Sequence, residues 1–159
     1  MATKWLSARE MTAWRTYIET FSDLITAIER DLGDHDLTLG DYQVFVYLSE
    51  APGRSMRMCD LADLLQLSPS GLTRRLDGLV KAGHVAREAS TGDRRVMLAS
   101  LTPSGLATLE AAAPDHVASV RRHVFDHLDS DQVDALASIF QSIKNGLAED
   151  GSAENGTEK

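Results

Sequence analysis

The segment from Ser68 to Arg95 constrains the fold more than any other part of this 159-residue chain. Ser68 followed by Pro69 predicts the start of a helix, because serine accepts hydrogen bonds from free amides and proline suits the first helical position. Gly83 is predicted to end this helix in a left-handed conformation. Apolar residues recur between these limits at helical spacing, at Leu72, Leu76, Leu79 and Val80. The segment therefore predicts an amphipathic helix with one buried face.

The opposite face of this helix is small, polar and partly basic. It carries Ser70, Thr73, Arg74, Asp77 and Lys81. A short strand is predicted from His84 to Ala89. The turn at 91–93 that follows places Arg94 and Arg95 at its exit. A helix with polar donors fits the major groove of a duplex, and a basic hairpin reaches phosphates or the minor groove beside it. The segment is thus expected to read DNA.

The charge distribution favours this reading, although the formal net charge of the whole chain is −8. Between Arg54 and Arg95 there are eight basic residues against five acidic ones, whereas the remainder carries eight against 19. Binding follows the local field and not the sum, so a basic patch on an acidic body is compatible with a DNA-binding protein.

The chain before this segment predicts three helices. From Ser7 to Leu32, apolar residues recur in alternating steps of three and four, which indicates a long amphipathic helix with a seam for its own domain or a partner. A second helix is expected to begin at Thr38 and to end before Pro52. A short helix from Met58 to Leu65 then precedes Ser68 by about three residues, which is the spacing of a helix-turn-helix.

The chain after this segment predicts a second strand and two more amphipathic helices. The strand at 96–101 is expected to pair with the His84 strand and form a wing. Helices are expected to begin at Thr102 and near Asp129, and disorder is expected from Glu149 onward. The predicted fold is mainly α with a small β-hairpin wing. Its parts are an N-terminal dimerisation helix (1–37), a winged helix-turn-helix lobe (38–101), C-terminal dimerisation helices (102–148) and a disordered acidic tail (149–159).

Several short segments occur in a characteristic order between Ser7 and Ala148. They are Asp60-Leu61-Ala62, Leu67-Ser68, 72–76, 79–83, Arg87, Gly92-Asp93-Arg94-Arg95 and Leu101-Thr102-Pro103-Ser104-Gly105. This ordered set resembles the MarR family of bacterial winged helix-turn-helix transcriptional regulators. The resemblance implies a homodimer that binds palindromic double-stranded DNA through two winged lobes. It also implies repression that is relieved by a small anionic or aromatic ligand, or by oxidation.

The resemblance also assigns candidate site residues. It implies DNA contacts from the helix by Ser68, Ser70, Thr73, Arg74 and Arg75, and from the wing by Arg94 and Arg95, with Asp93 orienting the wing arginines. Surface charge and a hairpin ion pair to Asp93 are the alternatives. We expect Asp77 to orient Arg74. The alternative is that Asp77 accepts a hydrogen bond from the amino group of a cytosine. A ligand pocket is suggested, without a motif, at Trp14, Tyr17, His35, Tyr42 and Arg57.

Metal and redox chemistry are weaker alternatives. His116, His123 and His127 share one helix face, with His35 as a possible fourth ligand, which leaves a zinc-responsive regulator of the same fold open. No cysteine or glutamate accompanies them at a recognisable spacing, so no metal ligand is assigned. Cys59 lies inside the first short helix and is expected to be a small buried residue rather than a redox sensor.

Other classes of protein are disfavoured. No Ser-His-Asp order, phosphate loop or carboxylate pair occurs at usable positions, so neither an enzyme nor a cofactor is expected. A protein-interaction scaffold that does not bind DNA is the remaining alternative. No apolar run approaches a membrane span and the N-terminus lacks a signal-peptide core, so a cytoplasmic protein without a membrane partner is expected.

Overall fold

The computed structural model describes residues 3–155, with side chains described to Glu149. In this range the chain forms six α-helices and three β-strands. They are α1 (Ala8–Leu32), α2 (Leu39–Glu50), β1 (Ser55–Arg57), α3 (Met58–Leu64), α4 (Pro69–Lys81), β2 (Val85–Ala89), β3 (Met97–Leu101), α5 (Pro103–His123) and α6 (Ser130–Asn155). The mainly helical fold class with a small sheet is confirmed. No helix among these combines the length and apolar character needed to cross a membrane.

The predicted boundaries of α4 are confirmed. The Gly71 amide donates to Ser68 Oγ at 3.1 Å, and Pro69 occupies the first turn, where no amide donor is required. Gly83 has φ of +77°, the left-handed conformation expected after the helix. Gln66, in the turn between α3 and α4, also has a positive φ, of 52°. Local sequence therefore determines where this helix begins and ends.

The three strands form one antiparallel sheet in the order β1-β3-β2. β2 and β3 are the hairpin predicted from the sequence, with Val85 opposite Leu101. β1 adds an edge strand in which Ser55 lies opposite Ser100, and the Ser100 hydroxyl donates to Ser55 Oγ at 2.8 Å. The wing therefore has a three-stranded base.

The residues divide into two compact units, one ending at Ser119 and the other beginning at Val120. In the first unit, side chains of α1, α2, α3, α4, α5 and the sheet form the core. Its fully buried apolar residues are Leu32, Val44, Phe45, Leu48, Leu61, Leu72, Leu76, Val85, Ala99 and Ala112. The stripe predicted for α4 thus faces this core, and its polar side faces solvent.

The Leu-Thr-Pro-Ser-Gly segment joins the sheet to α5. The Thr102 hydroxyl donates to the Gly83 carbonyl at 2.7 Å and accepts from the Gly105 amide at 3.0 Å. A Cβ at Gly105 would collide with the carbonyl oxygen of His84. This segment therefore fixes where α5 begins relative to the end of α4.

The C-terminal helix differs from the expectation. We expected disorder from Glu149 onward, but α6 continues to Asn155. Ala148 and Glu149 have good helix propensity, which favours continuation of the helix past the predicted end. Residues 156–159 of the predicted tail lie outside the described part of the chain.

Candidate nucleic-acid interface

The exposed face of α4 presents short hydroxyl side chains at its N-terminal end. Ser68, Ser70 and Thr73 are all exposed. The Oγ atoms of Ser68 and Ser70 lie 3.2 Å apart, and the Thr73 hydroxyl donates to the Pro69 carbonyl at 2.9 Å. Because its proton is used within the helix, Thr73 Oγ1 is left to accept a hydrogen bond from an outside donor. The predicted helix residues thus form one solvent-facing surface.

The two consecutive arginines of α4 have different surroundings. Arg74 is exposed and makes no ion pair within the described residues. Arg75 is half-buried, and its Nη1 donates to Thr38 Oγ1 at 3.0 Å and lies 3.8 Å from Asp41 Oδ1. The structure therefore leaves one guanidinium available to an outside partner and engages the other within the lobe.

The expected pairing of Asp77 with Arg74 is wrong. Asp77 Oδ1 instead accepts from Arg87 Nη2 at 2.7 Å. Arg87 lies on β2, and the hairpin brings it against α4, a contact that helical spacing within α4 could not reveal. The pair connects α4 to the base of the wing.

The wing turn exposes both of its arginines. Arg94 and Arg95 are exposed, and neither forms an ion pair in the part of the chain that the structure describes. Asp93 Oδ1 accepts from the backbone amide of Arg95 at 2.9 Å, and its carbonyl accepts from the Val96 amide at 2.9 Å. Asp93 therefore shapes the turn through backbone amides and not through an arginine side chain.

The five residues suggested as a ligand pocket are not brought together as one site. Trp14 and Tyr17 are exposed on α1 with their rings 5.9 Å apart. Tyr42 is buried, with its ring 4.2 Å from that of His116. Arg57 lines an open cleft beside β1 and α3, whereas His35 lines a different cavity. The five suggested residues therefore lie on separate surfaces and do not line one shared cavity.

The cavity that includes His35 lies behind α4. Its volume is about 550 Å³, and its lining residues are His35, Asp36, Leu37, Asp41, Gly78, Leu79, Ala82, His84 and Thr108. The lining has two carboxylates and neither lysine nor arginine. Except for His35, these residues were not predicted as site residues. They come from separate elements, so no local pattern in the sequence could have grouped them.

The histidines do not assemble a metal site. No three His, Cys, Asp or Glu side chains within the described chain are placed to hold one ion together. His35 Nε2 lies 2.8 Å from Asp115 Oδ2, which joins the turn after α1 to α5. The Nδ1 atom of His116 is buried and has no hydrogen-bond partner among the residues that the structure describes, and burial lowers the pKa of this histidine.

The expectation that Cys59 is buried is wrong. Its side chain is exposed, and Sγ donates to Asp60 Oδ1 at 3.4 Å. The core face of α3 is formed by Leu61 and Ala62, which leaves Cys59 on the solvent side.

Known proteins resemble this chain both in sequence and in fold. A model described as MarR family matches residues 35–96. AbsC, a MarR family transcriptional regulator from Streptomyces coelicolor, is 40% identical with a TM-score of 0.88, and the match covers 92% of this chain and 99% of AbsC. Sco3205, a MarR family regulator from the same organism solved in complex with DNA, is 35% identical with a TM-score of 0.88 and 92% of each chain covered.

A similar regulator occurs in Bacillus subtilis. The HTH-type transcriptional repressor YetL is 25% identical over 119 residues, which are 73% of this chain and 71% of YetL. The likeness to AbsC and Sco3205, at 92% of this chain, extends well beyond the helix-turn-helix.

Proposed function

Because this chain belongs to the MarR family, whose members are DNA-binding transcriptional regulators and not enzymes, we propose that it acts as a homodimeric repressor of palindromic operators. The observation that carries this proposal is the exposed polar face of α4 next to a wing with two exposed arginines, which make no ion pair with any residue that the structure describes. In this proposal a small ligand releases the repressor from DNA.

The DNA contacts follow from which donors are available. We assign Ser68, Ser70, Thr73 and Arg74 to the major groove, where short hydroxyls and one arginine can meet base edges and phosphates. Arg94 and Arg95 of the wing are assigned to phosphates or to the minor groove beside it. The structure of Sco3205 in complex with DNA, at 35% identity, supports DNA binding by this fold.

Dimerisation and repression are supported by other observations. Apolar side chains are exposed along α1, including Trp14 and Ile18, and along α6, including Ile143 and Leu147. Exposed apolar surface of this kind marks an interaction site, and a two-fold dimer matches two-fold symmetric DNA. The repressor function named for YetL supports the same direction of control.

We assign the effector to the cavity behind α4. Its volume of about 550 Å³ falls within the range for small-molecule sites. Its lining includes the carboxylates of Asp36 and Asp41, and of these Asp41 is already paired with Arg75 at 3.8 Å. The charge of Asp36 disfavours an anion, so we propose an uncharged aromatic ligand. A ligand there would touch Gly78 and Leu79 of α4, and it can shift the DNA-bound form only by its differential affinity for the two states.

A selection experiment tests the proposal. Purified protein is used to enrich duplexes from a random-sequence library, and the enriched duplex is then titrated over a salt series against a random duplex. We expect a two-fold symmetric sequence, with affinity that falls steeply as salt rises. Arg95→Ala is expected to reduce the salt slope by about 1 while the dimer stays intact.

Two results would contradict the proposal. If no sequence is enriched, the chain is not a sequence-specific regulator. If Arg95→Ala dissociates into monomers in sedimentation velocity, the wing arginine is a structural residue and its assignment to DNA fails.

A further inference from the structure

The guanidinium of Arg75 packs against the first turn of α2. Its Nη1 donates to Thr38 Oγ1 at 3.0 Å. Thr38 Oγ1 also accepts from the Asp41 amide at 3.1 Å and donates to Asp41 Oδ2 at 2.7 Å. A hydroxyl offers one donor and two acceptor sites, so these three bonds use the whole capacity of Thr38. The guanidinium thus completes a network that already caps α2.

Gly40 provides the space for this guanidinium. A Cβ built at Gly40 would lie 2.5 Å from both Cζ and Nη1 of Arg75. A side chain at position 40 and the observed arginine position are therefore mutually exclusive. The displaced group would be the far end of a flexible side chain, so the backbone of either helix need not move.

The position of Arg75 on α4 explains what the contact does. Consecutive helical residues are about 100° apart, which puts Arg75 on one flank of Arg74 and Asp77 on the other. Arg75 joins the first flank to α2, and Asp77 joins the second flank to Arg87 of β2. Leu72 and Leu76 are buried on the side opposite Arg74. The helix is thus held on both flanks, with Arg74 exposed between them.

We infer that Arg75 is a positioning residue that docks the recognition helix on α2, in the space left by Gly40, and does not itself contact DNA. The inference rests on the proposed DNA-reading role of α4. Docking sets the rotation of the helix about its axis, and this rotation decides which base edges Thr73 and Arg74 can reach. Loss of Arg75 should therefore weaken specific binding more than non-specific binding.

Gly40→Ala is the most direct test, because it displaces the guanidinium without removing its charge. Affinity for the enriched duplex is expected to fall roughly five- to fiftyfold, the size of one lost specific contact, with little change on a random duplex. Gly33→Ala is the matched control, since a Cβ there meets nothing within 4 Å, and it should bind like the unsubstituted protein. Urea unfolding of both variants confirms that they are folded.

Arg75→Ala separates positioning from phosphate contact. A positioning residue leaves the salt slope unchanged, whereas loss of a phosphate contact lowers it by about 1. The Gly40→Ala/Arg75→Ala double variant should bind the enriched duplex no more weakly than Arg75→Ala alone, because both substitutions abolish the same contact.

Three results would overturn the inference. A salt slope lowered by about 1 in Arg75→Ala, with normal binding by Gly40→Ala, would make Arg75 a phosphate contact. Additive losses in the double variant would mean that Gly40 acts independently of Arg75. Failure of the unsubstituted protein to enrich any sequence would overturn the proposed function as well, and this is distinguishable because it appears before any variant is compared.

Discussion

Arg74 and Arg75 are identical and adjacent, yet the fold gives them different surroundings. Arg74 is exposed, whereas Arg75 contacts the cap of α2. The sequence predicts both as DNA contacts, because composition and spacing cannot distinguish two neighbouring arginines on one helix. Only the position of Thr38, 37 residues earlier in the chain, separates them.

At the same scale, the glycine that opens α5 is predicted to be required for packing. Gly105→Ala would push a methyl group into the carbonyl of His84, and overpacking of this kind costs about 1–3 kcal/mol. Urea unfolding should therefore show a lower free energy of unfolding. Gly78→Ala in α4, where a Cβ meets nothing within 4 Å, is the control and should be neutral or stabilising. Equal stability of the two variants would contradict this prediction.

At the scale of elements, α2 and α5 meet through Tyr42 and His116. The two rings lie 4.2 Å apart, and burial raises the pKa of Tyr42 and lowers that of His116. Next to them, His35 Nε2 contacts Asp115 Oδ2. His116 was predicted only as an interface or solvated histidine, because no pattern in α5 points to a contact with α2.

This contact predicts acid sensitivity of the fold. Because burial disfavours protonated His116, the unfolded chain takes up that proton at a higher pH than the folded protein does. Well above about pH 6.5, His116 is neutral in both states and does not affect stability. As pH decreases through that value, the unfolded chain is protonated first, and the free energy of unfolding falls. His116→Leu should reduce this acid-side fall in a series of urea unfolding curves.

Exposed His127, replaced by leucine, is the control for this series and should keep the acid-side fall. An unchanged pH dependence in His116→Leu would show that other groups dominate the titration.

At the scale of the whole molecule, α6 exposes an apolar face that a partner could bury. Ile143 and Leu147 of α6 are 52% and 68% exposed, on a helix whose sequence repeats apolar residues at helical spacing. The cost of leaving such surface in water, at about 25 cal/mol per Å², favours its burial against a second copy. The charge asymmetry acts at the same scale, since the basic residues concentrate between Arg54 and Arg95.

Ile143→Asp tests this proposal. A carboxylate at the centre of a buried apolar interface is unfavourable, so we expect monomers in sedimentation velocity and loss of tight operator binding. Asn145→Asp adds the same charge on the other side of α6 and should remain dimeric. A dimeric Ile143→Asp variant would place the interface elsewhere.

The sequence alone determined the features that depend on neighbouring residues. The start of α4 at Ser68 and Pro69, its end near Gly83 and the β2–β3 hairpin follow from local backbone preferences and short-range hydrogen bonds. The apolar stripe of α4 likewise shows which face the core must cover. An ordered set of such local features was sufficient to identify the family.

Tertiary structure alone decided which side chains pair across elements. The partners Arg75–Thr38, Asp77–Arg87 and Tyr42–His116 are 37, 10 and 74 positions apart. Each contact depends on the packing of two separate elements, and helical or strand periodicity carries no information about that packing. The same reason explains why the cavity behind α4 was not predicted, whereas the exposed face of that helix was.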